Sequence, residues 1–333
     1  MPPLEAVSTA EQNSERLRKT MGLVLLGALP GLLAMLWLFG WGTQLNLLLA
    51  ATGALVTEAA CLRLRQRPWL AGLKDGSALV SATLLALALP PYAPWWLTLI
   101  AASTAMGLGK HIYGGVGKNP LNPAMVGYAF VLLSFPLQMT QWPAPHATEL
   151  MTGLQRVFGW QTGPDAWAQA TVLDALRINK SLTMEELFAS HPAFGHYGGK
   201  GIEWVNLMFL AGGLLLLQQR VFSWHAPVAM LGSLFVISLL CWNGSGSDSN
   251  GSPLFHLLSG ATMLGAFFIV TEPVSGPKSP RARLLFGAGV GVLVYLIRTW
   301  GNYPDGVAFA VLLMNLAVPA LERLSAAAPQ EQP

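Results

Sequence analysis

The sequence predicts an all-α polytopic membrane protein of about ten transmembrane helices, arranged as two inverted five-helix repeats, and three observations lead there. Of 333 residues 53% are hydrophobic and only 11% charged, less than half the ~25% that covers the surface of a soluble domain. Apolar runs near the ~20 residues that cross a hydrocarbon core recur along the whole chain. Lys and Arg gather in alternate connections between those runs. The first observation excludes a soluble enzyme and a nucleic-acid binder.

Taken in order, the apolar runs place helices at about 21–40, 44–62, 76–91, 95–112, 123–139, 203–219, 225–242, 254–271, 284–299 and 306–321. Arg16, Arg18 and Lys19 precede the first run, as they would a signal peptide. Its apolar stretch is longer than the ~7 to 15 residues of a signal core and no small-x-small cleavage site follows, so it reads as a retained helix. With the N-terminal segment 1–20 in the cytoplasm, Arg63, Arg65, Arg67, Lys74, Lys110, Lys118, Arg220, Lys278, Arg281, Arg283 and Arg323 all fall inside. The short connections 41–43, 92–94, 243–253 and 300–305 hold no Lys or Arg, and Arg298 alone is basic near an outer end. The expected setting is a bacterial inner membrane, with the tail 322–333 in the cytoplasm and the long stretch 140–202 in the periplasm. Cys61 and Cys241 then lie at opposite faces, which argues against a mutual disulfide, and they form no CxxC metal motif.

The chain matches itself at one constant offset. "ATLL" at 82–85 aligns with "ATML" at 261–264, and "GYAFVLL" at 127–133 aligns with "GVAFAVL" at 306–312, both shifted by 179. Five helices per half, at 21–139 and 203–321, is an odd number, so the halves have opposite orientations. Inverted repeats put the functional centre at their interface, near helix breaks. Two breaks match: "GGVGKNPLNP" at Gly114–Pro123 and "GNYPDG" at Gly301–Gly306. Ordinary Pro and Gly turns are the alternative reading.

Ionisable groups within the helices narrow the chemistry. Glu58, one turn before Arg63, reads as a snorkelling residue with a nearby partner rather than a proton relay. Lys110 and His111 stand where the fourth helix leaves the membrane, and Glu203 opens the sixth. His225 and His256 fall at opposite ends and cannot share a haem. His146, His191 and His196 share the long loop without metal-ligand spacing, so no metal site is expected.

About sixty residues make the loop 140–202 too long for a connector. Its Trp142, Trp160, Trp167, Phe158 and Tyr197 offer aromatic mass for packing a flat group. Its most unusual segment is "DAWAQATVLDAL", Asp165 to Leu176. The glycine-rich "GHYGGKGIE", Gly195 to Glu203, includes Gly198 and Gly199 and opens the sixth helix, where backbone amides could meet a phosphate or a ring carbonyl.

Four runs carry a family resemblance: "LKDGSALVSATLLALALPP" (73–91), "GKHIYGGVGKNPLNPAMVGYAFVLLSFP" (109–136), "GATMLGAFFIVTEPVS" (260–275) and "GNYPDGVAFAVLLMNLAVP" (301–319). In order and over nearly the whole chain, they resemble the RnfD/NqrB family. The likeness is to its members in the Rnf electron-transport complex and, more distantly, to those in the sodium-translocating NADH:quinone oxidoreductase. The resemblance implies a membrane component of an ion-translocating ferredoxin:NAD oxidoreductase that relays electrons through FMN held by a phosphoester to a threonine. The matching residue is Thr171, with Asp165 upstream; Ala168 stands where the family often has Ser or Thr, and Val172 where it often has Pro. The same resemblance implies a flavin transferase for maturation, the other Rnf components (A, B, C, E and G) as partners, surrounding lipid, no nucleic acid, and a second, noncovalent flavin such as riboflavin between the repeats. It also implies coupling to sodium or proton movement. "SGAT" at Ser259–Thr262 is a cleaner literal match to the transferase motif, but it sits inside a predicted membrane helix, where small residues usually serve close packing. Two rival readings are a urea- or ammonium-type transporter or channel without flavin, and a structural scaffold whose partners hold all cofactors.

Overall fold

The computed structural model describes residues 4–145, 148–160, 168–179, 181–303 and 305–327. Helices stand at all ten expected places. The first, Leu4–Phe39, begins well before residue 21, because the polar N-terminal stretch is itself helix-forming, with a Glu15–Lys19 pair at 2.8 Å one turn apart. The second is Gly42–Leu64, the third Ser77–Ala88, the fourth Trp95–Gly107 and the fifth Pro123–Ser134. The sixth is Ile202–Gln218 and the seventh His225–Leu240; the ninth is Pro280–Trp300 and the tenth Val307–Ala327.

Length separates these helices into two kinds. Glu15–Phe39, Gly42–Leu64, Pro280–Trp300 and Val307–Ala326 are long and apolar enough to cross a membrane. The third, with 12 residues, reaches only about 18 Å of the ~30 Å needed. Pro90 and Pro91 stop it, and its wall of Ala82, Leu84, Leu85, Ala86 and Leu87 is buried in protein. Irregular backbone at membrane depth is tolerated where protein, not lipid, surrounds it. The eighth is broken: Pro253–Leu258, an interruption at Ser259–Ala261 with Gly260 at φ +59°, then Thr262–Leu264 running into a π-helical turn, Gly265–Ile269. A continuous helix over 254–271 was the expectation; the left-handed glycine ends it.

Small residues seat the helices on each other. A methyl added at Gly212 would lie 1.9 Å from the Gly27 carbonyl oxygen, so the first and sixth helices cross with their backbones nearly in contact. Gly287 and Gly291 press on the carbonyls of Ala226 and Met230 in the same way, joining the seventh and ninth. Leu33, Trp37, Leu48, Val56, Leu316 and Leu324 are exposed around the bundle, as a lipid-facing surface requires.

The described residues between 140 and 201 fold as a cap over one end of this bundle. Trp142 pairs with Gln169 and Pro143 with Ala168 in a two-residue antiparallel ladder. Short helices follow at Leu150–Phe158, Val172–Ile178 and Met184–Ser190. Val172, Leu173, Ala175, Leu176, Met184, Leu187 and Phe194 form a small core of their own, closed by Phe255 from the broken eighth helix. Tyr92 ties the cap down through the Phe39 carbonyl and Thr148.

Candidate functional site

Between cap and bundle lies a cavity of about 120 Å³ whose walls come from both halves of the chain. Leu87, Met125 and Tyr128 contribute from the first half, Val205, Phe209, Leu264, Val307 and Ala308 from the second, and Met35 and Phe39 from the first helix. Its roof is Trp142, Pro143 and the run Gln169–Leu173. Thr171 is therefore at the wall, partly exposed, where the ladder ends and the helix Val172–Ile178 begins.

Thr171 is the N-cap of that helix. Its Oγ1 accepts from the Asp174 amide at 3.2 Å and donates to Asp174 Oδ2 at 3.0 Å, while Arg177 Nη2 holds Asp174 Oδ1 at 3.0 Å. Burial pushes the Asp174 carboxyl above its ordinary pKa, against the lowering pull of the Thr171 hydroxyl and the Arg177 charge.

Beneath this turn is a buried polar hub that the sequence had marked only as an isolated basic residue. Arg298, 4% exposed, reaches Asp305 Oδ1 through Nε and Nη2 at 3.2 and 3.0 Å, the carbonyls of His256 and Ser259, and Thr262 Oγ1. Asp305 also accepts from the amides of Ala261 and Val307, so the second predicted break is pinned onto the broken eighth helix. The first break is pinned likewise: the Asn122 amide donates to Asn315 Oδ1 at 3.0 Å, and Asn122 Nδ2 reaches toward the Ile269 carbonyl at 3.4 Å. Both breaks are held against the second half by side-chain hydrogen bonds that a plain turn would not need.

The rival threonine is placed very differently. Thr262 is 0% exposed, and its hydroxyl is engaged by the His256 and Ser259 carbonyls at 2.8 and 2.9 Å and by Arg298. The glycine-rich loop also has another role. Its His196 and Tyr197 amides, each at 3.0 Å, donate to the Glu203 carboxylate. Gly199 lines the cavity, where a methyl would meet Val172 at 3.1 Å, while Gly198 packs on Leu258 and Ser259. Asp165, Trp167 and His146 lie outside the described residues. Among the expected aromatic residues that are described, Trp142 lines the cavity; Trp160, stacked on Phe158, and Tyr197 are mostly exposed. Phe39, Tyr128 and Phe209 supply the remaining aromatic wall from the helices.

At the opposite end, Glu58 pairs with Lys110 at 2.7 Å and lies 3.4 Å from His111, with both carboxylate and ammonium buried. Its partner is Lys110 rather than Arg63, whose guanidinium sits over the Trp69 ring at 4.4 Å. The fourth helix turns at Gly107 and returns Lys110 to the second helix, a contact that linear spacing does not reveal.

A model of the NQR2, RnfD, RnfE family matches residues 6–330. The chain belongs to this family. It is 65% identical over 311 residues to a protein of Ectopseudomonas mendocina named as a subunit of the ion-translocating oxidoreductase complex, covering 93% of this chain and 91% of that one. Proteins of the same name in Cellvibrio japonicus and Citrobacter koseri are 47% and 46% identical, with coverage of 97% and 93% and of 95% and 95%.

Proposed function

We propose that this chain is the membrane component of an ion-translocating ferredoxin:NAD oxidoreductase and carries FMN as a phosphoester on Thr171. Relatives across three genera share the name of one subunit of an ion-translocating oxidoreductase complex. The observation that carries the flavin assignment is the placement of Thr171: a hydroxyl at the wall of an apolar cavity shared by both halves. An esterified Oγ1 keeps a lone pair for the Asp174 amide, so the cap survives modification. Thr262 has no comparable opening, since esterification there would strip hydrogen bonds from a fully buried site.

The bound FMN would supply one-electron chemistry, and the protein supplies position and electrostatics. Trp142, Phe39, Tyr128 and Phe209 offer faces for a flat ring and exclude water from it. Asp305 faces the same cavity with its charge offset by Arg298, which keeps the wall from repelling an electron-rich ring. The cap lies on the periplasmic side in this reading and both termini in the cytoplasm, following the distribution of Lys and Arg. An inverted repeat of the two halves is part of this proposal, supported by the sequence match at an offset of 179 between the short third helix and the broken eighth. Partners are the other components of the complex and a flavin transferase.

The test is a denaturing gel of purified protein read for flavin fluorescence, with mass spectrometry of the tryptic peptide 157–177. Fluorescence that stays with the band and vanishes in Thr171→Ala supports the assignment; a label on the peptide holding Thr262 overturns it. Flavin released by acid from Thr171→Ala protein reads the second, noncovalent flavin that the family resemblance implies.

A further inference from the structure

The same turn that would bear the flavin also holds the groups needed to attach it. We propose that Asp174 is the general base for esterification of Thr171, taking the Oγ1 proton as that oxygen attacks the phosphorus of a flavin dinucleotide. This inference rests on the attachment reading given above.

The geometry divides the hydroxyl's bonding capacity in a productive way. A threonine hydroxyl has one proton and two lone pairs. Here the proton points to Asp174 Oδ2 at 3.0 Å and one lone pair is taken by the Asp174 amide at 3.2 Å, leaving the second for attack at the cavity wall. Arg177 fixes the carboxylate through its other oxygen at 3.0 Å. Nucleophile, base and orienting group thus lie in sequence, three residues apart, within two helical turns. In the step, a bond forms between Oγ1 and the phosphorus that carries the riboflavin. The bond from that phosphorus to the adenylate oxygen breaks, AMP leaves with the electron pair, and the proton passes to Asp174 and then to water. Nothing is oxidised or reduced. The transferase supplies the dinucleotide and its divalent cation.

The charged group paired with Asp174 is Arg177 on the same helix. His256 and Arg298, from the eighth and ninth helices, line a separate small cavity with Leu173, Leu176 and Arg177. Tyr128 of the fifth helix lies within electrostatic reach of both Asp174 and Asp305. Burial raises the proton affinity of the carboxyl above that of a free aspartate, which strengthens it as a base.

The experiment measures initial rates of covalent labelling of the full-length chain by flavin adenine dinucleotide and the transferase, across pH 5 to 9. Asp174→Asn keeps an oxygen for the Thr171 proton but loses basicity; about 100-fold slower labelling is expected. The ratio of wild-type to Asp174→Asn rates should climb with pH and level off once Asp174 is ionised, and Asp174→Glu should recover part of the rate. A thermal melt confirms that the slow variant is folded. Wild-type labelling of Asp174→Asn would show that the transferase brings its own base, and a rate ratio that does not vary with pH would show a merely positional role; either overturns the proposal. Thr171→Ala in the same series separates the two ideas, because label retained there removes the attachment site itself.

Discussion

Thr171 and Thr183 head neighbouring helices in the cap and share two side-chain hydrogen bonds with different prospects. In each, the hydroxyl accepts an amide three residues on at 3.2 Å and donates to that residue's carboxylate at 3.0 Å: Asp174 in one case, Glu186 in the other. The Thr183 turn adds the reciprocal half of a capping box, its own amide donating to Glu186 Oε2 at 2.8 Å, so by local capping alone it is the more complete of the two. What sets Thr171 apart is its surroundings. Glu186 is solvent-exposed, and the Thr183 hydrogen bonds hold its carboxyl below the ordinary range. Asp174 is buried against the bundle, and its carboxyl is pushed the other way. A helix cap becomes a candidate reaction site when the bundle supplies a cavity and a low-dielectric wall.

The largest expected effect breaks the comparison outright. Thr171→Ala removes covalent flavin altogether, while Thr183→Ala leaves labelling intact and costs about 1 kcal/mol as a lost cap, read by thermal unfolding. Next, Glu186→Gln should label at the wild-type rate under the conditions in which Asp174→Asn is slow. A third variant acts from below. A methyl at Gly260, held at φ +59°, would lie 2.3 Å from Asp305 Oδ2 and 2.9 Å from Leu173, so Gly260→Ala should lower both labelling and thermal stability by pressing on the attachment segment from a residue outside it.

The smallest effect is a difference of sign. A carboxyl whose folded-state pKa is lowered adds stability above its unfolded pKa of ~4.3 and loses it as pH falls through the folded value. Glu186→Gln should therefore lower the melting temperature slightly at pH 7. A carboxyl whose folded-state pKa is raised opposes folding above that value, and the opposition is relieved on acidification. Asp174→Asn should melt at or above the wild-type temperature at pH 7, and the gain should shrink toward pH 4. Melting curves at the two pH values sharpen the contrast without any flavin present.

Much of this arrangement was legible in the sequence. The places of ten helices followed from apolar runs, and Gly114–Pro123 and Gly301–Gly306 from Pro and Gly. The resemblance singled out Thr171. Helix length was less legible: apolar composition does not tell a helix surrounded by lipid from one surrounded by protein, so the 12 residues of Ser77–Ala88 read as a full span. Pairings across distant residues were hidden for a related reason. Nothing in linear spacing joins Glu58 to Lys110, which the turn after the fourth helix brings together, or Arg298 to Thr262, which the break in the eighth helix brings together. In the glycine-rich loop the sequence did not show that the His196 and Tyr197 amides are taken by the chain's own Glu203, while Gly199 lines the cavity. Asp174 could have been suspected from its position three residues after Thr171, the signature of a capping box.

Where Gly27 crosses Gly212, the first and sixth helices leave no gap wide enough for an acyl chain. Detergent should strip the periphery of the molecule long before it enters that seam. A protease nick in the cap would then yield two fragments that still migrate as one particle on size exclusion, parting only when the polypeptide itself is denatured.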